Sequence, residues 1–319
     1  MKSLLRSFFV VCTVAAASCA RHYGEPQEVA PVYAWFEDYT PGATVPDPLR
    51  PGVAAFMKVM GVDSVGDDAL CAWATSQPVR VFSPDVDSVF PSLEPIEAGL
   101  GAVLAAADKE NLQLPRRSYA AVVWGRPESI VFCDSVVLLA LNHYLGVGYP
   151  GYSHLPQYRR EAKEPARLPV DIAEALVATQ YPYEGGADAT VLSRLLYEGA
   201  LNETRLRLTG CSEASALGYS EEDYRALLDH EEQLWQALVA GRLLYSTLPA
   251  DAERLVDPAP STPLLSAMAP GRAGRFLGWR IVRAYLKRYP EVSLAELLSP
   301  SFYNSESTLR ASSYVGRQG

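Results

Sequence analysis

The sequence predicts an α+β fold that is predominantly helical, with a small sheet in its N-terminal half. Short runs of β-branched and aromatic residues, which favour strands, occur before residue 134. After that point, apolar residues recur at the three- and four-residue spacing of amphipathic helices. Hydrophobic residues make up 49% of the 319 residues, which is enough for a sizeable core.

The expected elements of the N-terminal half follow a leading segment. Residues 19–50 are rich in Pro, Gly and acidic residues, and they predict a linker without regular structure. Strands are expected at residues 79–82, 119–124 and 130–132. Between the first two strands, the Ala- and Leu-rich stretch 93–108 predicts a helix.

The C-terminal half is expected to be helical. Asp134 can cap a helix that runs to Tyr144 and stops at Gly146. Further helices are expected at about 189–208 and at 273–288, the latter ending before a proline.

A capped helical run and a short closing helix complete the expected single domain, residues 51–298. Ser220 followed by Asp223 approximates a capping box. After this capping box, apolar residues are spaced so that they lie on one face of a helix. They are Tyr224, Leu227, Leu228, Leu234 and Leu238. A short helix is expected at 292–298, and the Ser-rich residues 299–319 are expected to form a loose tail.

The first residues have the form of a signal peptide. A basic start with Lys2 and Arg6 precedes an uncharged apolar run, residues 8–17, which is too short to cross a bilayer as a permanent helix. The small residues 16–18 directly precede Cys19, and this ending resembles the bacterial lipobox. We therefore expect residues 1–18 to be removed and lipid on Cys19 to anchor the chain to a membrane. An ordinary signal peptide with a nearby cysteine is the alternative.

The charge balance excludes some classes of partner. Removal of Lys2 and Arg6 with the signal peptide moves the formal net charge from −9 to about −11. Such an acidic chain is not suited to nucleic acid, whose phosphates require basic surfaces. It is also not suited to adhesion to anionic lipid by charge alone.

The remaining cysteines predict little. Cys71, Cys133 and Cys211 cannot all pair with one another, and their spacing is far from any CxxC metal pattern. One disulfide and three buried thiols both remain open.

No standard catalytic motif is present: the sequence lacks a GxSxG elbow, a phosphate-binding glycine loop and an HExxH helix. His143 and His154 flank a Gly-rich turn, but their spacing fits no standard metal site, and we expect no cofactor. The same loop carries Tyr149, Tyr152 and Tyr158. These tyrosines either pack the loop down or bind a ligand.

Glu198 is the one acid with a candidate catalytic position. Arg194 lies four residues before it and Asn202 four residues after it, so the three share one helix face, with Arg205 next along. In one interpretation, Arg194 and Arg205 neutralise the carboxylate. In the other, Glu198 is a general base on a helix, as in zinc peptidases.

The zinc chemistry would require histidine ligands next to Glu198. Their positions are held by Tyr197 and Leu201, neither of which can bind zinc as histidine does. We therefore expect no zinc hydrolysis at this helix.

A Pro-rich segment is followed by four arginines spaced along one predicted helix. They are Arg272, Arg275, Arg280 and Arg283. Such arginines can receive an acidic partner or a phosphate, but the favoured interpretation is that they complement acidic residues of the same chain.

Several segments resemble the gliding-motility lipoprotein GldB family of Bacteroidota. They read FCDSVVLLALNHYLG, YPGYSHLPQYRR, LLYEG, LGYSEEDY, HEEQLWQALVAGRLLYSTLP and PGRAGRFLGWRIVRAYLKRYPEVSLAELL. The resemblance covers most of residues 28–298 and is strongest after residue 130.

The resemblance implies a degenerate zincin-like body in which LLYEG replaces the metal-binding helix. Glu198 would be the retained glutamate, and Tyr197 and Leu201 would replace the histidines. Ala200 stands where a basic residue is usual, so a role tied to that position does not carry over. Because no dense acidic run follows Cys19, a periplasm-facing anchor in the outer membrane is expected.

The resemblance implies a non-catalytic lipoprotein of the cell envelope that supports gliding motility, the associated protein-secretion machinery, or both. Its partners would be the lipid-bearing membrane and envelope proteins of that apparatus, and not nucleic acid. One alternative is a zincin-related hydrolase with an unconventional site around Glu198, His143 and His154. Another is a lipoprotein that binds a peptide or other ligand.

Overall fold

The computed structural model describes residues 24–62 and 64–316. The expected signal peptide and Cys19 therefore lie outside the described residues. The described chain is an α+β structure in which helices surround a small mixed sheet, as predicted.

The strands and helices are numbered in chain order. The strands are β1 Val29–Pro31, β2 Ser118–Val122, β3 Ile130–Cys133 and β4 Val136–Ala140. The first seven helices are α1 Val32–Glu37, α2 Arg50–Val59, α3 Asp67–Ala74, α4 Gln77–Val89, α5 Glu94–Lys109, α6 Gln157–Glu161 and α7 Leu168–Gln180. Those that follow are α8 Val191–Thr209, α9 Glu213–Leu217, α10 Glu221–Asp229, α11 Glu231–Ala240, α12 Pro249–Val256, α13 Ala273–Arg288, α14 Leu294–Leu297, α15 Pro300–Tyr303 and α16 Glu306–Ser312. Short 3₁₀ turns occur at Asp47–Leu49, Leu141–His143, Pro150–Tyr152 and Pro165–Arg167.

The sheet has the strand order β1-β2-β4-β3. β2 is parallel to both β1 and β4, while β3 pairs with β4 in the antiparallel direction. Every residue of β4 is buried, as is usual for a parallel strand covered on both faces. Because β2 and β4 are parallel, the chain segments that leave their carboxyl ends lie side by side.

The long helices α8 and α13 pack against each other at two glycines. A Cβ atom added to Gly278 would lie 1.9 Å from the Leu195 carbonyl oxygen, and one added to Gly199 would lie 2.4 Å from the Gly278 carbonyl. Only glycine permits such a close approach of two helix backbones. This contact places the buried middle of α8 against the arginine-rich helix α13.

Four of the predicted helices are present, and a fifth, the run after Ser220, forms two helices instead of one. Helices α5, α8, α13 and α14 correspond to the predictions at 93–108, 189–208, 273–288 and 292–298. The capped run after Ser220 is split at His230 into α10 and α11. Leu228, which was expected on the buried face, is 36% exposed.

The predicted strand at 79–82 is wrong, because these residues form part of helix α4. Val79, Ser83 and Val86 are the buried residues of α4, and their spacing is helical. A four-residue window is too short to distinguish that spacing from a strand.

The predicted helix from Asp134 to Tyr144 is also wrong. Val136–Ala140 is strand β4, and a 3₁₀ turn follows it. Cys133 pairs with Val136, so Asp134 belongs to a two-residue hairpin turn and has the positive φ of 52° that such turns require. A continuous apolar run fits a buried strand and a buried helix equally well.

The expected linker and the expected loose tail both contain packed structure. Within residues 19–50, β1 pairs with β2, and Val32, Tyr33 and Phe36 of α1 are buried. At the other end, α15 and α16 pack on the core, with Tyr303 only 1% exposed. Both expectations are therefore wrong for the residues that the structure describes.

Cys71, Cys133 and Cys211 are all free thiols, and Cys133 is buried. In the described chain, no single helix has both the length and the apolar composition needed to cross a membrane. Helices α4 and α5 meet those criteria only when they are taken together, and they are bent by 74° at the break between them.

Candidate functional site

Glu198 lies in the middle of α8 and is 1% exposed. Tyr197 and Leu201, which stand where a zinc peptidase would have its histidine ligands, pack inside the protein. The Tyr197 hydroxyl donates a hydrogen bond to the Tyr181 carbonyl at 3.0 Å, and Leu201 is buried. The donor set around Glu198 therefore does not fit a zincin-type metal site.

Two arginines pair with the Glu198 carboxylate. Arg194 Nη2 lies 2.8 Å from Oε1, and Arg275 Nε lies 2.9 Å from Oε2. Arg275 also pairs with Glu174 at 3.2 Å, and Glu174 in turn pairs with Arg205. The expected neutralisation by Arg194 is confirmed. The expectation for Arg205 is wrong, because this buried guanidinium pairs with Glu174 on α7.

The ion pairs of this network change the pKa values of its members. Burial would raise the pKa of Glu174, but the positive charges of Arg205 and Arg275 outweigh it and lower that pKa to about 2. For Arg275, burial acts to lower the pKa, and the charges of Glu198 and Glu174 outweigh it and raise the pKa. Glu174 and Arg275 are therefore both charged at pH 7. Both oxygens of Glu198 face a guanidinium, which leaves this carboxylate poorly placed to accept a proton from a bound water.

Asn202, the remaining residue of the predicted polar stripe, lies beside the same network. Its amide Nδ2 donates a long hydrogen bond of 3.4 Å to the Arg275 carbonyl. The face of α8 predicted from helical spacing is therefore real, but it points into the protein and contacts α13.

Three of the four arginines near the start of α13 and along it have acidic partners within the chain. Arg275 pairs with Glu198 and Glu174, as described above, and Arg280 lies 2.7 Å from Glu231. Arg283 lies 3.6 Å from both Glu203 and Glu213. The favoured interpretation is confirmed for these three. Arg272 differs, because it lines a cavity.

This cavity has a volume of about 550 Å³ and lies beyond the carboxyl ends of β2 and β4. Trp124 follows β2, and Asn142 follows β4. The Trp124 amide donates to Asn142 Oδ1 at 3.2 Å, and Asn142 Nδ2 donates to the Trp124 carbonyl at 2.8 Å. These two hydrogen bonds join the two loops that form the floor of the cavity.

His143 and His154 both line the cavity. His143 Nδ1 shares a hydrogen bond with Ser129 Oγ at 2.9 Å. Burial, together with the nearby charge of Lys163, lowers the pKa of His143 to about 4, so its imidazole is neutral at pH 7. The lining residues that the structure describes do not include Glu198, so the three residues of the hydrolase alternative do not converge in this cavity. In residues 24–62 and 64–316, no three His, Cys, Asp or Glu side chains are grouped to hold a metal ion.

The tyrosines of the loop have different roles. Tyr152 lines the cavity, and its hydroxyl donates to the Asn142 carbonyl at 2.6 Å. Tyr149 bonds to Asp85 at 2.5 Å and packs edge-on against Tyr152. These two therefore hold the loop down, whereas Tyr158 lines the cavity and is only half-buried.

Sequence reasoning missed several cavity residues, among them Trp124, Arg126, Arg159 and Lys163. They come from separate loops and one short helix, and no spacing along the chain connects them. The only local signal was the paired basic residues that end the segment YPGYSHLPQYRR.

Comparison with known protein families identifies the family of this chain. A family model described as gliding motility protein GldB matches residues 53–316. The comparisons with curated proteins and with solved structures find no match.

Proposed function

We propose that this chain, which belongs to the family of the gliding motility protein GldB, is a non-catalytic lipoprotein that supports gliding, the associated protein secretion, or both. Family membership associates the chain with gliding motility and supports its being a lipoprotein of the cell envelope. The absence of catalysis, the secretion role and the outer-membrane location are the parts that we propose.

The state of Glu198 is the observation that supports a non-catalytic role. In a zinc peptidase the equivalent glutamate acts on a metal-bound water. Here Arg194 and Arg275 lie within 2.9 Å of its oxygens, and Tyr197 and Leu201 occupy the ligand positions. The carboxylate serves as a buried structural charge between α8 and α13.

Lipid on Cys19 is the proposed means of attachment. The uncharged run and the small residues before Cys19 support it. We propose that the body faces the periplasm, because residues 20–24 contain no acidic run. Proteinase added to intact cells should then leave the protein undigested, and rapid digestion would contradict this orientation.

Depletion of the gene tests the cellular role. Surface spreading and export of secreted proteins should be measured as the protein disappears, and at least one of them should fail. Re-expression of the wild-type chain should restore the lost property. Normal spreading together with normal export after depletion would contradict the proposal.

A peptide library incubated with the purified chain tests the hydrolase alternative. We expect no cleavage and no stoichiometric metal. Two matched variants, Glu198→Gln and Glu203→Gln, each remove one buried, arginine-paired carboxylate from α8. Cleavage that disappears in the first variant and persists in the second would overturn the non-catalytic role.

A further inference from the structure

We propose that the cavity beyond β2 and β4 binds a small organic anion, in which a phosphate or carboxylate group is attached to a planar apolar body. This inference does not depend on the role in gliding. It rests on the charges that line the cavity, on the absence of a direct ion pair for two of them, and on the aromatic residues beside them.

All of the charged side chains that line the cavity in the described chain are cationic. They are Arg126, Arg159, Lys163 and Arg272, and the lining includes no Asp or Glu. This composition contrasts with the whole chain, which has a formal net charge of −9. A concave surface with one sign of charge raises the local concentration of ligands of the opposite sign.

Two of these cations make no direct ion pair among the described residues, although the charge of Asp171 acts on Lys163 from a greater distance. Among the described residues, the close contact of Arg159 is with an aromatic ring, since its guanidinium lies 6.0 Å from the centroid of the Tyr158 ring. Lys163 lies over the Tyr152 ring at 5.5 Å and is half-buried, and this burial lowers its pKa. Removing a cation from water without pairing it is unfavourable, so a bound anion would offset that penalty.

The other two cations have partners within the chain. Arg126 pairs with Glu128 at 3.2 Å in a partly exposed ion pair. Arg272 donates to the Gly218 carbonyl at 3.0 Å and has a φ of 64°, which non-glycine residues adopt only when the surrounding packing holds them there. At the preceding residue, Gly271, a Cβ atom would lie 1.7 Å from the Ala259 carbonyl oxygen, so the backbone is closely packed there.

The aromatic side chains define the rest of the ligand. Phe82, Trp124, Tyr152 and Tyr158 line the cavity. Its volume of about 550 Å³ lies within the range of small-molecule sites, roughly 300–1,000 Å³. A few charged groups beside an apolar aromatic wall suit a ligand with an anionic head and a flat apolar body.

Isothermal titration of the full lipidated chain in a non-ionic detergent tests the assignment with three probes. Phenyl phosphate carries both parts of the proposed ligand, inorganic phosphate carries the head alone, and phenol carries the body alone. We expect saturable binding of phenyl phosphate with a Kd below about 1 mM, and weaker binding of the other two. Raising the salt concentration should weaken the binding of phenyl phosphate.

The variant Lys163→Met should raise the Kd for phenyl phosphate about tenfold or more, as expected for loss of a charged hydrogen bond. Lys163→Arg, which keeps the charge, should bind within a few-fold of the wild type. Arg160→Met is the matched control, because Arg160 lies on the same helix as Arg159 but does not line the cavity. Arg159→Met is a second test, since its exposed side chain can be replaced without disturbing the fold.

Several results would overturn the assignment. One is no binding of phenyl phosphate at millimolar concentration. Equal binding of phenol would show that charge is irrelevant, and equal binding of inorganic phosphate would show that the aromatic wall is irrelevant. An equal rise in the Kd for phenyl phosphate in Arg160→Met and Lys163→Met would show that binding depends on the general positive charge around α6 and not on the cavity.

Discussion

Replacing a helical glycine with alanine should have opposite effects on stability at two positions. Gly278 lies in the close contact between α8 and α13, whereas Gly99 does not. In Gly278→Ala, the added Cβ would lie 1.9 Å from the Leu195 carbonyl oxygen, well below the 3.0 Å that real Cβ contacts reach. A backbone atom cannot rotate away, so the two helices must separate. In Gly99→Ala, on α5, the nearest atom is Pro169 Cγ at 3.5 Å, which is an ordinary contact.

The expected magnitudes follow from packing and helix propensity. Overpacking a close contact lowers the free energy of unfolding by about 1–3 kcal/mol, and a backbone clash belongs at the upper end. Alanine offsets roughly 1 kcal/mol of this because it favours the helix. We therefore expect Gly278→Ala to lose about 2 kcal/mol. Gly99→Ala should gain roughly 0.5–1 kcal/mol.

Urea unfolding, followed by circular dichroism, measures both values on otherwise identical chains. Thermal unfolding should agree, with Tm falling by about 4 °C or more for the variant at 278. The separation of the helices should also weaken the pairing of Arg275 with Glu198, which connects the same two elements. Equal stability of Gly278→Ala and the wild type, or a shift of both variants in the same direction, would refute the close helix packing.

The remaining predictions concern the anchor, a buried ion pair and a buried histidine. Cys19→Ala should move the protein from the membrane fraction to the soluble fraction with an unchanged circular dichroism spectrum; retention in the membrane would contradict lipidation at this residue. Glu198→Leu should lose about 3–5 kcal/mol in urea unfolding, because it leaves Arg194 and Arg275 without their shared partner, and an unchanged midpoint would refute that pairing. The folded pKa of His143, about 4, lies below its usual value of 6.5, so its contribution to stability is present above pH 6.5 and is lost as the pH falls towards 4. Between pH 6.5 and 4, the free energy of unfolding should therefore fall less in His143→Gln than in the wild type. If the two proteins lose equal free energy of unfolding over this range, His143 is not buried as a neutral group.

The helices that could be predicted are those whose signals are local. Thr190 and Ser220 each accept a hydrogen bond from a backbone amide three residues later, and the apolar spacing after them is long enough to identify a helix. The boundaries of α13 agree with the prediction residue for residue, since a proline follows its end. Local backbone geometry and side-chain spacing are sufficient in these segments.

The strands could not be assigned in the same way. β4 is an apolar run without periodicity, and its identity depends on pairing with β2 and β3. The composition of residues 19–50 predicts a linker, although β1 within it pairs with β2 about ninety residues later in the chain. Hydrogen bonds between distant segments leave no spacing signal in either of them.

In the two candidate sites, too, some features could be predicted from local sequence and others depend on long-range packing. Helical spacing was enough to place Glu198, Arg194 and Asn202 on one face of α8, and residue identity at 197 and 201 was enough to question zinc chemistry. That Arg275 from another helix completes the ion pairs was visible only in the packed structure. The cationic cavity depended on packing even more, because parallel strands bring together loops that are far apart in sequence. Charge and aromatic residues that are scattered along the chain acquire a common function only when the chain folds.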